Sequence, residues 1–292
     1  MSAATPAPSA PLDPREFKAA QREAWGEAAE GWRTWWRIFE SAAQGLNDRL
    51  VDLAEVREGH RVLDVATGIG EPALTAARRV GPKGRVLATD LAPPMLAIAA
   101  ERASALGLAN VVFREMDAES LEIGAGSFEA ATCRWGLMLF QDPLASARGV
   151  HRALKRDARF AAAVWGRPER VPFLAIPHEV STRELRLPPP PPGAPGAFAL
   201  AADGALEKLL TGAGFRDLRT ELVSVAFEYA SAREYARFLG DLSATLRKAL
   251  AEQPKDVQER VWREVEREAA RHALPDGRLR LVNEVRCVSG AR

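Results

Sequence analysis

Val62-Leu-Asp-Val-Ala-Thr-Gly-Ile-Gly-Glu-Pro-Ala-Leu74 is the stretch on which the reading of this chain turns. A short apolar strand runs into Gly68 and Gly70, and Pro72 stands where the first turn of a helix tolerates a missing N–H. The two glycines let the backbone turn tightly and come close to a ligand that a Cβ would hold away. Downstream, Gly84-Arg-Val-Leu-Ala-Thr-Asp90 is a second apolar strand ending in a carboxylate. That is where a β-α-β unit holds the ribose hydroxyls of a bound nucleoside.

By itself a Gly-x-Gly after a strand is as consistent with a plain tight turn as with a ligand loop. A dinucleotide site would want a third glycine so that the helix N-terminus can approach a pyrophosphate, and Glu71 and Pro72 stand there instead. A phosphate would be repelled by Glu71; a cationic cofactor would not. The pattern Asp64-x-x-x-Gly68-x-Gly70 resembles motif I of the class I S-adenosylmethionine-dependent methyltransferases, and the resemblance extends strongly over residues 56–165 and loosely beyond. Within that superfamily the chain is most similar to the ubiquinone/menaquinone-biosynthesis-like branch, whose members mainly methylate small molecules.

The resemblance implies an α/β fold, a Rossmann-like seven-stranded sheet with its last strand antiparallel and with helical lid insertions. It also implies S-adenosylmethionine as cofactor and assigns roles. Asp64, Ala66, Thr67, Gly68 and Gly70 form the motif I loop. Asp90 holds the ribose, while Leu91 and Met95 pack on the adenine. Val111-Val-Phe-Arg-Glu-Met-Asp117 resembles the third strand, whose terminal Asp117, with Ala118 beside it, meets the adenine amino group. Ser127 to Met138 resembles the fourth strand and the loop under the sulfonium, which brings in Arg134 and Trp135. One departure is Lys155-Arg-Asp-Ala-Arg159, where the family often has Lys-Pro-Gly-Gly; a turn before a fifth strand at 158–165 then has to be made without glycine.

Four segments follow: a disordered tail at 1–16, an N-terminal helical lid at 17–55, a cofactor-binding core at 56–170, and lid insertions with the C-terminal strands at 171–292. In the lid, Trp25, Trp32, Trp35, Trp36 and Phe39 recur at helical spacing. They form either a core-docking stripe or a roof over the cofactor, and for the roof Trp35 or Trp36 is the candidate, Trp36 being taken as the cofactor contact. After the fifth strand a segment through Phe173 and His178 is expected to turn helical near Ser181, and the proline run 188–192 reads either as a stiff linker over the site mouth or as a plain surface loop. A capped helix at 203–215, a strand near 218–227, a single amphipathic helix through Tyr235 to Leu250 opened by the Ser231/Glu234 capping box, a helix at 254–272 and a last strand at 278–289 complete the chain.

Composition narrows the function. With 40 Lys plus Arg against 39 Asp plus Glu the net charge is +1, which gives no basic footprint for nucleic acid. No apolar run reaches the roughly 20 residues of a membrane span. Cys133 and Cys287 fall in strands that are not neighbours in the expected sheet, so no disulfide is expected, and a reducing, cytoplasmic setting fits. No metal site is expected, since the four histidines lack ligand spacing. Of these, His178 is the candidate general base because its segment is expected to line the substrate chamber; His151, His60 and His272 fall elsewhere. The expected activity is methyl transfer to an apolar, aromatic or quinone-like small molecule by a monomer or homodimer. A catalytically silent S-adenosylmethionine-binding protein is the alternative, and Glu71 and Pro72 disfavour a nicotinamide-dependent oxidoreductase.

Overall fold

The computed structural model describes residues 13–188, 191 and 193–292. The expected tail therefore lies outside the described residues through residue 12, and so do Pro189, Pro190 and Pro192 of the proline run. The remainder of the tail is helix. Asp13 accepts a hydrogen bond from the Arg15 N–H and Pro14 occupies the first turn of α1, a 40-residue helix, Pro14–Leu53.

The core alternates strand and helix: β1 (Arg61–Val65), α2 (Ala73–Val80), β2 (Arg85–Asp90), α3 (Pro93–Ala105), β3 (Val111–Glu115), β4 (Phe128–Arg134), α4 (Pro143–Ala153) and β5 (Leu154–Trp165). Then come α5 (Pro172–Leu185), α6 (Ala205–Gly212), β6 (Arg216–Tyr229), α7 (Ala232–Leu242), α8 (Ala244–Ala251), α9 (Lys255–Ala269) and β7 (Leu279–Ala291). The seven strands lie in the order β3-β2-β1-β4-β5-β7-β6. The first five are mutually parallel, and β7 is antiparallel to both β5 and β6. Strand order reverses between β1 and β4, so their C-terminal ends open the crevice in which α/β sheets bind ligands. Cys133 on β4 and Cys287 on β7 are separated by β5, and both are buried free thiols.

Three elements differ from the sequence expectation, each for a local reason. β5 starts at Leu154 and not at Ala158, because Asp157 adopts a left-handed φ of 62° and the pairing with β4 shifts register there. An aspartate in a bulge does the work expected of glycine. α5 is helical from Pro172 despite Pro177 in its interior. Proline cannot donate to the carbonyl four residues back, and the carbonyl of Phe173 instead accepts from the Tyr235 hydroxyl at 2.6 Å. The helix expected to run unbroken to Leu250 is two helices, because Ser243 leaves helical geometry and its hydroxyl caps the Leu246 N–H.

The lid elements are keyed to one another. Trp35 Nε1 donates to Asp241 at 2.7 Å, and a Cβ on Gly31 would lie 2.4 Å from the Asp241 carbonyl oxygen. α1 and α7 thus cross with backbone nearly touching backbone. Gly31→Ala should gain about 1 kcal/mol of helix propensity and lose about 1–3 kcal/mol to overpacking. A melting temperature below wild type is expected, and an unchanged or higher one would show that α7 can shift freely off α1.

Candidate functional site

A cavity of about 340 Å³ opens at the C-terminal ends of β1, β2 and β4 and is closed over by α1, α5 and α7. One end is built from the glycine turn: Ala66, Thr67 and Gly68 line it, with Asp90, Leu91 and Met95 opposite. Gly68 has φ 55°, and a Cβ there would meet only the Met95 methyl at 3.8 Å, leaving a cradle of backbone that a ligand can approach. Asp90 holds this turn in place: one carboxylate oxygen accepts from the Gly68 N–H at 2.8 Å and the other from the Ala92 N–H at 3.0 Å. Burial pushes the Asp90 carboxyl above its ordinary pKa, opposed by these backbone donors.

Next along the wall, Met116, Asp117, Ala118 and Glu119 close the cavity under the first turns of α1, from which Phe17, Lys18, Gln21 and Trp25 face in. Lys18 Nζ bridges Asp117 at 2.6 Å and Glu119 at 2.9 Å. Burial works to raise the Asp117 carboxyl, and the hydrogen bond from Lys18 outweighs it, holding the group below its ordinary value. The other end is aromatic, with Trp32, Phe39, Trp135, Trp165, Phe173 and Phe238 on its walls. Trp135 stacks on Trp165 at 4.2 Å and 13°, and Phe39 meets Trp32 and Trp135 edge-on.

Between the two ends stand Arg134 and Glu71. Arg134 donates to both oxygens of Glu40 at 2.9 and 2.7 Å and to Asn47 Oδ1 at 2.8 Å, so a wholly buried ion pair fastens α1 to the end of β4. Burial of Glu40 opposes its ionisation, and Arg134 overcomes this, holding the carboxyl below its ordinary range. Glu71, 3% exposed, accepts from the Thr75 N–H and hydroxyl and lies 3.6 Å from Arg102. Desolvation, helped by Glu40, raises its pKa.

The structure brings together on the cavity wall Ala66, Thr67, Gly68, Asp90, Leu91, Met95, Asp117, Ala118, Arg134 and Trp135 from the sequence expectation. Four expected residues do not line it. Asp64 is fully buried behind the loop, accepting from the Thr132 hydroxyl at 2.6 Å. Gly70 shapes the turn: φ is 111°, and a Cβ would press on Leu74 at 3.0 Å. Trp36 faces away, under the Arg102 guanidinium at 4.5 Å and against the Ile69 and Met95 cluster. Trp35 points at α7, so the tryptophans of α1 that do face the cavity are Trp25 and Trp32. His178 is likewise corrected: it is exposed on the outer side of α5, 6.4 Å from the Phe198 ring, and no histidine is among the described residues lining the cavity.

Burial raises the Asp64 carboxyl from 3.8 to about 7, against the hydrogen bond from Thr132. The native state therefore binds its proton more tightly than the unfolded chain does. Its contribution to stability is complete below pH ~4 and is lost as pH rises through about 7. Asp64→Asn should flatten the fall in melting temperature between about pH 4 and pH 7, the window between the ordinary and the raised value. Parallel curves for the two proteins would show that Asp64 is ionised throughout.

Comparison with known proteins agrees with this geometry. Residues 62–157 match the methyltransferase domain family. The demethylmenaquinone methyltransferase of Thermus thermophilus is 38% identical over 125 residues, 43% of this chain and 56% of that protein. The nocamycin O-methyltransferase of Saccharothrix syringae is 33% identical over 184 residues, 59% of this chain and 64% of that one. The chain thus spans less than two thirds of the length of these curated relatives. The crystal structure of the YcgJ protein from Bacillus subtilis superposes with a TM-score of 0.55 at 20% identity, covering 84% of this chain and 97% of that one, which shows the fold. Residues 62–157 are similar to a methyltransferase domain, and the seven-stranded sheet around them has the Rossmann-like fold of methyltransferases. S-adenosylmethionine is the methyl donor of this family. Among the described residues no helix is long and apolar enough to cross a membrane.

Proposed function

We propose that this chain transfers the methyl group of S-adenosylmethionine to an apolar, aromatic small molecule. The observation that carries the reading is that one cavity joins the Gly68/Asp90/Asp117 end to an aromatic end, with Arg134 and Glu71 between them. Four carboxylates on its walls, Glu71, Asp90, Asp117 and Glu119, against the cations Lys18 and Arg134, suit a sulfonium and not a pyrophosphate. The free, buried cysteines fit a reducing compartment.

Bound S-adenosylmethionine would supply an already activated methyl group, leaving the protein to orient the nucleophile and exclude water. Asp90 and the Gly68 backbone would hold the ribose. Asp117 would meet the adenine once Lys18 yields to it, keeping Lys18 paired with Glu119. The aromatic walls would align the acceptor. With no histidine among the described residues that line the cavity, an acceptor that ionises readily or is already nucleophilic fits best, and His178→Ala should leave the pH–rate profile unchanged.

The test is to incubate the protein with S-adenosylmethionine and a panel of phenols, enols and reduced quinones, assaying S-adenosylhomocysteine. Acceptor-dependent formation supports the proposal. Tight binding of S-adenosylhomocysteine with no turnover on any acceptor would favour the catalytically silent binding protein.

A further inference from the structure

α1 is held in two different ways along its length. From Ala28 onward it carries the buried residues that dock it on the molecule, among them Phe39, Ala43, Leu46 and Leu50. Before Ala28 no residue of the helix is buried. Phe17, Lys18, Gln21 and Trp25 of these first three turns are half-buried, and all four line the cavity. Trp25 rests on the small cluster of Ile69, Ala92, Met95 and Ile98, whereas Phe17 packs against no buried apolar cluster among the described residues. The inner face of this segment is therefore a wall of the cavity more than a part of the core.

What fastens the segment is charge. Lys18 bridges Asp117 and Glu119, and Arg22 Nη1 lies 2.7 Å from Glu115, so two cations one turn apart grip the end of β3 and the residues just after it. These pairs stand open to water: the side chains of Lys18 and Asp117 are 26% and 28% exposed, and those of Arg22 and Glu115 are 51% and 43% exposed. An exposed ion pair shifts an equilibrium by at most about fivefold. Gly26 separates the two parts of α1. Glycine is a poor helix former, and a Cβ there would meet only Pro94 Cγ at 3.7 Å, so no neighbour clamps the helix at that point.

We propose that residues 14–25 are the gate through which the cofactor enters and leaves, bending at Gly26 and latched by Lys18 and Arg22, while the remainder of α1 stays docked. This rests on the methyltransferase reading above for the identity of the ligand. It narrows the lid expected at 17–55 to the part ahead of Gly26. It also makes Lys18 a competitor within the chain, because Asp117, to which it is bonded, is the carboxylate that the adenine would take. Once the adenine takes it, the latch keeps only Glu119 and Glu115, and the gate is held less tightly over bound cofactor than without it.

The experiment follows binding of S-adenosylhomocysteine to the full chain by stopped-flow tryptophan fluorescence, since Trp25 and Trp32 line the cavity. This ligand carries no net charge at neutral pH, so the loss of two cations leaves its electrostatic steering unchanged. In Lys18→Met/Arg22→Met the association rate should rise about tenfold and the dissociation rate about threefold, so that affinity increases about threefold. Arg33→Met, which breaks the pair with Glu101 on the docked side of Gly26, should leave both rates as in wild type. Without ligand, hydrogen exchange in the latch variant should be faster over residues 17–25 and unchanged over 28–53. Weaker binding with an unchanged association rate would make Lys18 a plain ligand contact, and equal protection over 17–25 in the two proteins would show those turns docked without the latch; either result overturns the proposal. Failure of every protein to bind S-adenosylhomocysteine, with faster exchange over 17–25 in the latch variant, would instead overturn the methyltransferase reading and not the latch.

Discussion

Asp90→Ala should weaken binding of S-adenosylhomocysteine at least tenfold, and on the order of a hundredfold if both ribose hydroxyls donate to the carboxylate. Hydrogen bonds to a charged group contribute about 1.5–3 kcal/mol each, and tenfold in affinity is about 1.4 kcal/mol. Part of the loss comes by a second route, because Asp90 also accepts the Gly68 and Ala92 N–H groups and so fixes the turn that the cofactor approaches. Asp90→Asn separates the two effects. An amide keeps one of the two acceptor oxygens, so one of the two backbone bonds survives and the turn is disturbed less than in Asp90→Ala, while the charge that strengthens the ribose bonds is gone. Calorimetry should rank wild type above Asp90→Asn above Asp90→Ala. Equal affinity in all three would remove Asp90 from the cofactor site.

What was legible in the sequence was local. Gly68, Gly70 and Asp90 sit at the ends of short strands, and a strand, a turn and a carboxylate can be placed without knowing anything distant. The tryptophan stripe was legible as a helix face but not as a set of contacts. At about 100° per residue, Trp25, Trp32 and Trp36 fall within about 40° of one another along α1 while Trp35 lies about 60° further round, so phase alone does not separate the residues that face the cavity from Trp36. Which line meets the cavity depends on where α3 and α7 pack, and that is fixed by Gly31 against Asp241 and by Arg102 over Trp36. His178 was misplaced for a related reason. Read as irregular up to Ser181, its segment had no helical phase; the helix begins at Pro172, and its phase turns His178 outward. Glu40 was passed over entirely. A glutamate directly after Phe39, on the buried side of an amphipathic helix with Asn47 two turns on, was a signal that a cation must meet it. The sequence gives no means of choosing Arg134, 94 residues away.

That ion pair sets the largest expected effect on stability. Glu40 and Arg134 are 4% and 9% exposed, and α1 reaches the end of β4 through them. Glu40→Ala leaves the guanidinium buried with only Asn47 to answer it, and breaking a buried pair from one side typically costs about 3–5 kcal/mol. For a chain of this size the melting temperature should fall by roughly 10 °C. The pair itself need not be worth that much, since two desolvated charges repay little beyond what they cost. The double variant Glu40→Leu/Arg134→Met should therefore recover much of the loss, because nothing charged is then stranded. A double variant less stable than Glu40→Ala would mean that the ion pair is a net stabiliser of the α1 dock. Ligand binding separates the roles further: the double variant, though stable, has lost the cation between the two ends of the cavity. Its affinity for oxygen-bearing aromatic ligands should then drop, whereas affinity for S-adenosylhomocysteine should follow how far α1 still closes over the site.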